Sequence, residues 1–138
     1  MSAQEAQAVL VALLDATQAL VAGEWENHDS PSPVECTLDE TFGVGVAFTG
    51  RRTLDVGGSL DPVVAAVSEL WRSAGLEVGR STIGNFDTLL GVDPHNRAFF
   101  AELQLGARTG VVRGQSPCVP GNAWDELQRV KQQAGATA

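Results

Sequence analysis

A chain of 138 residues with 43% hydrophobic content fits one globular domain over 1–138, long enough to bury roughly 70% of the surface its unfolded form exposes. Nine basic residues against seventeen acidic ones give a net charge of −8, a field that repels phosphate backbones and anionic headgroups. Composition therefore argues against a nucleic-acid partner.

Leu10, Leu13, Leu14, Thr17, Leu20 and Val21 recur on one stripe, with Gln4, Gln7, Asp15 and Gln18 mostly elsewhere. That spacing predicts an amphipathic helix. Ser2 followed by Glu5 fits a capping box, and Gly23 suits the left-handed stop. The start does not read as a signal peptide: Glu5 precedes the apolar run, Asp15 interrupts it, and no Lys or Arg comes first. No apolar run approaches the ~20 residues that cross a bilayer, so the expected chain is soluble. It is either cytosolic or a mature ectodomain with an artificial starting Met1. Residues 22–41, including "EWENHDSPSPVE", show no period and read as a Pro-rich loop.

From Phe42 the period becomes two. Phe42, Val44, Val46 and Phe48 point one way and Gly43, Gly45 and Ala47 the other, a strand whose bare face admits close approach by a helix, a neighbouring backbone or a ligand. Gly50 with "RRTLDV" continues this strand through a bend or opens a second one. "LDPVVAAVSELWRSAG" predicts a helix with Asp61 as N-cap, Pro62 at the first position and Gly75 at the end. Val63, Val64, Val67, Leu70, Trp71 and Ala74 form its apolar face. "LEVGRSTI", "FDTLLGV", "RAFFAELQL" and "TGVVRG" then read as strands whose short connectors make them antiparallel neighbours. Asn122 and Asp125 frame a short helix carrying Trp124, Leu127 and Val130, and 132–138 reads as a frayed tail.

The expected fold is α+β with two layers. An antiparallel sheet of four to five strands carries the N-terminal and central helices on one face, with a short C-terminal helix. Glu77, Asp87, Glu102 and Gln104 alternate with apolar residues, so the other face is expected to be partly wet.

Few residues point to chemistry. Cys36 and Cys118 lie in turn-rich segments, which favours a disulfide over free structural thiols, while a nucleophilic cysteine would need His28 or His95 brought to it. A bridge would close a loop worth about 4 to 5 kcal/mol of chain entropy. Neither cysteine has a metal-ligand neighbour, and no metal, cofactor or catalytic residue is expected. His28 in "ENHDSP" and His95 in "DPHN" read as turn residues before they read as bases. The pair Arg51-Arg52 offers planar donor forks to a carboxylate or anionic sugar, or else is solvated and paired with local acids. Trp25 and Trp124 flank the cysteine segments and either cover the bridge or form an aromatic patch for a partner or glycan.

The first helix, the Trp and Cys of "GEWENHDSPSPVEC", the helix end "ELWRSAG" and the closing "GQSPCVP" together resemble the ectodomains of actinobacterial secreted lipoproteins of unassigned function. The resemblance spans most of the chain through short motifs. It implies an envelope location, a structural disulfide and a lipid-bearing N-terminus lost from this chain, where no lipid-attachment cysteine stands. The expected function is non-enzymatic binding of a protein or small ligand in the envelope, with membrane contact only through such an anchor. Two alternatives stay open: a cone-shaped ligand-binding or cyclase-like enzyme, and a cytosolic dimeric module resembling secretion chaperones.

Overall fold

Apolar spacing of three to four residues builds the helices of this computed structural model, and spacing of two builds its longer strands. It describes residues 1–38, 43–55 and 58–136. The chain begins with α1 (Ala3–Ala19), followed by β1 (Trp25–Asn27), β2 (Val34–Thr37), β3 (Val44–Ala47) and β4 (Thr49–Leu54). Next come α2 (Val64–Ser73), β5 (Glu77–Ile83), β6 (Phe86–Val92), β7 (Phe100–Leu105) and β8 (Gly110–Gln115). A two-residue β9 (Val119–Pro120) and α3 (Ala123–Ala136) close the chain. One sheet of six strands has the order β1-β4-β8-β7-β6-β5, and a second of three has the order β2-β3-β9. Every pairing is antiparallel.

The α+β architecture therefore holds, with α1 and α2 on one face of the large sheet. Leu10 and Leu14 of α1 and Val67 and Trp71 of α2 share a core with Leu54, Leu89, Leu103 and Val112 of the strands. Trp71 is fully buried, and its indole N–H donates to Thr17 Oγ1 at 2.9 Å, joining the two helices by a satisfied polar contact. A smaller core holds Ala3, Ala6, Val46, Phe48 and Val119, with Val130 of α3 against it.

Several local expectations are corrected. The sheet has six strands and a companion of three, because the 22–41 loop contains β1 and β2, too short to display a period. The last helix reaches Ala136, into the segment 132–138 expected as a tail. The capping box of Ser2 and Glu5 is present, but α1 is closed by Leu20, whose N–H reaches carbonyls of the last turn, and Leu20 itself is exposed. Gly23, with φ 141°, turns the chain into β1, where an added Cβ would strike Leu54. Asp61 does not cap α2. Leu60 is wholly buried and its carbonyl accepts from Val63 and Val64, so a turn precedes the helix and frees the Asp61 carboxylate for Arg80. Val46 and Phe48 are buried as expected, Val44 is exposed, and Phe42 lies outside the described residues.

Strands β3 and β4 run on through Phe48, and β8 and β9 run on through Ser116. Phe48 and Ser116 bond each other twice: Ser116 N–H donates to Phe48 O at 2.8 Å, and Phe48 N–H donates to Ser116 Oγ at 2.9 Å. This antiparallel ribbon bends there and passes from the large sheet into the small one. The disulfide Cys36–Cys118 sits beside the bend, its Cα atoms 5.9 Å apart and its residues 82 positions apart in sequence. Cys36 is the register partner of Gly45, where an added Cβ would lie 2.6 Å from the Cys118 sulfur. The bare face of β3 thus makes room for the bridge. Replacing both cysteines by serine is expected to lower stability by about 4 kcal/mol in urea unfolding monitored by tryptophan fluorescence.

Candidate functional site

Alternation along β4 separates its two arginines. Leu54 belongs to the main core, so Arg52 faces the helices and Arg51 faces away. Arg52 is 2% exposed. Its guanidinium donates to Asp29 Oδ2 at 2.7 Å, to Gln18 Oε1 at 3.2 Å and to the Asp15 carboxylate. Burial alone would lower its pKa, but the hydrogen bonds and charges of Asp29 and Asp15 outweigh that and raise it above the ordinary value. Of the two roles expected for Arg52, ligand contact or pairing with local acids, the structure gives the second, because neighbours on a strand face opposite ways and β4 turns Arg52 inward.

The same carboxylate reaches the next residue. Asp29 Oδ1 accepts the Arg51 backbone N–H at 3.0 Å. His28 N–H donates to Arg51 O at 2.8 Å, so the chain after β1 continues to cover the edge of β4. The His28 ring then lies on the open side, its Nε2 3.1 Å from Thr53 Oγ1 and 3.9 Å from Glu26.

Arg51 stands directly opposite Arg113 of β8, a like-charge cross-strand pair that repels. Arg113 is compensated. Its Nη2 donates at 2.9 Å to Glu102, an 8% exposed carboxylate on β7, and its guanidinium stands 6.0 Å from the Phe100 ring centroid. Among the described residues the Arg51 guanidinium has no acidic partner. Two grooves meet at His28 and Arg51. A smaller one of about 210 Å³ reaches Thr49, Phe100 and Arg113, and a larger one of about 470 Å³ reaches Thr53, Phe86, Gln104 and Val111.

Other expected site residues lie elsewhere. Trp25 pairs with Leu54 in the large sheet, packs against the main core and donates its indole N–H to Val21 O at 3.0 Å, so it braces the segment that follows α1. Trp124 is 66% exposed at the start of α3. His95 sits in the β6–β7 turn, where its backbone N–H donates to Asp93 Oδ1, and β7 and β8 stand between it and His28 beside β4. With Cys36 and Cys118 joined, neither sulfur is a thiol nucleophile. Among the described residues no group of three or more His, Cys, Asp or Glu is placed to hold a metal, and no helix is long and apolar enough to cross a membrane.

Arg113, Phe100 and Glu102 were not singled out as site residues. The short "GAR" connector between the last two strands could have paired Glu102 with Arg113, but setting Arg51 beside them requires the long-range pairing of β4 with β8.

Arg80 shows what a neutralised arginine looks like here. It faces the helix side of β5 and binds Asp87 at 2.6 Å and Asp61 at 2.7 Å. Its hydrogen bonds hold both carboxylates below their ordinary pKa, and theirs raise Arg80. A depressed carboxylate favours the folded state above its unfolded value, near pH 4, and that contribution fades as pH falls through the folded value. Arg80→Gln is expected to move the Asp61 and Asp87 titrations upward in carboxyl ¹³C NMR.

Comparison with known proteins places the fold. The crystal structure of a DUF4853 family protein from Actinomyces odontolyticus ATCC 17982 superposes with a TM-score of 0.57 at 19% identity, covering 86% of this chain and 66% of that one. At that identity the likeness shows the fold alone. It shares an actinobacterial origin with the proteins that the sequence resembles. No family model matches the chain, nor does any curated protein.

Proposed function

We propose that this chain is a non-enzymatic domain of the cell envelope that works outside the cytoplasm and binds a ligand or partner through the open face of its large sheet. The disulfide carries the reading. Thiols of cytosolic proteins stay reduced in most organisms, and this bridge lies at the bend on which both sheets depend. The motifs "GEWENHDSPSPVEC" and "GQSPCVP" support the finer assignment to a secreted lipoprotein. In that assignment a lipid tether precedes α1 and holds the domain at the membrane surface.

The open face supports binding over catalysis. Its grooves are shelves on the sheet surface, lined by side chains suited to recognition, and its histidine is hydrogen-bonded to a threonine. A cyclase-like cone would instead draw polar groups together inside an apolar cavity.

The compartment is directly testable. Cells of the native host are quenched in acid and alkylated before and after reduction, and the protein is weighed. Both sulfurs are expected to resist alkylation until reductant is added. Two alkylated thiols in unreduced protein would place the chain in the cytosol and overturn the envelope reading.

A further inference from the structure

We infer that the open sheet face binds an acidic glycan, with the carboxylate of a uronate-type sugar seated between Arg51 and Arg113. This names the ligand class for the face proposed above, and it rests on that reading.

The charge pattern supplies the first argument. Two arginines directly opposite each other on neighbouring strands repel, and an anion between them removes that penalty. Asp55, at the far end of the larger groove, is the acid on this face that no cation holds among the described residues, and three nearer acids are each set against a cation or His28. Asp29 is bound by Arg52 and Glu102 by Arg113, while Glu26 stands by His28. Arg51 is left without a counter-charge among the described residues. The net charge of −8 does not cancel this local field, because exposed charges beyond about 8 Å are largely screened at physiological salt.

Pre-organisation supplies the second. Glu102 and the Phe100 ring hold the Arg113 guanidinium in place, and Asp29 fixes the backbone at Arg51. A planar fork already fixed loses less entropy when it grips a carboxylate.

The shape decides between a glycan and an acidic peptide. The arginines lie on interior strands whose backbone groups are paired, and the β4 edge is covered by β1 and His28. An extended peptide docking as an added strand finds no free ladder there. What the face offers is side chains: Thr49, Thr53 and Gln104 for hydroxyls, and the exposed Phe86 ring in the larger groove for an apolar sugar face. The two grooves run outward from Arg51, so a chain of rings can extend to both sides of the charged one.

Calorimetric titration with a galacturonate hexamer tests the assignment, beside its methyl ester, a glutamate hexamer and inorganic sulfate. The free-acid glycan is expected to bind, to weaken as salt rises, and to exceed the ester and the other two anions by at least about tenfold. Arg51→Gln and Arg113→Gln are each expected to lose about tenfold or more, the scale of a charge-assisted contact. The thermal midpoint of Arg51→Gln should match the parent, Arg113→Gln is titrated well below its own midpoint because it strips the buried Glu102 of its partner, and Arg80→Gln should bind normally. Equal binding by the ester, by sulfate or by the glutamate hexamer, or unchanged affinity in both arginine variants, overturns the assignment. Thiol state in cells is measured separately, so a failed titration with hidden thiols overturns the glycan and leaves the envelope reading standing.

Discussion

The buried guanidinium of Arg52 is the constraint from which the geometry of the open sheet face follows. A cation 2% exposed must be compensated on the spot, and it draws Asp15 and Gln18 from α1 and Asp29 from the chain after β1. Two separate pieces of chain are thereby fixed to β4. Asp29 carries the effect through the sheet, for its second oxygen holds the Arg51 backbone while the neighbouring His28 covers the same strand. The residue that cannot reach solvent thus sets the geometry around the one that can.

The second constraint is the bent ribbon. One pair of strands serves two sheets only because Phe48 and Ser116 hold each other at the corner and Gly45 lets the cystine pass close to β3. Glycine at that position looks like a weakness in a strand, since it packs nothing and orders at an entropic cost. Here the missing Cβ is what the covalent link requires. The bridge ties β2 to the exit of β8, so the short sheet is held by a bond that its few backbone pairings could not replace.

Much of this was legible in the residues. The meander of β5 to β8 follows from alternation and short connectors, and the faces of α1 and α2 follow from their apolar spacing. The short strands β1, β2 and β9 were not, because two to four residues cannot display a period. Asp61 stood where an N-cap stands, but the depth of Leu60 moved the helix start and gave the carboxylate to Arg80. The arginine pair in "RRTLDV" was visible as chemistry, and a strand period of two was enough to assign the pair to opposite faces. Which of the two faces outward depended on where α1 lies. Arg113 stayed hidden as Arg51's neighbour because β4 and β8 meet across nearly half the chain.

One comparison tests most directly the division of labour between these adjacent arginines: urea unfolding of Arg52→Met set beside Arg51→Met. Removing one partner of a buried ion network is expected to cost about 3 kcal/mol at Arg52. The outward substitution at Arg51 is expected to change stability by no more than about 0.5 kcal/mol. Equal losses at the two positions, or a neutral result at Arg52, would contradict the idea that one inward cation organises the face on which the other acts.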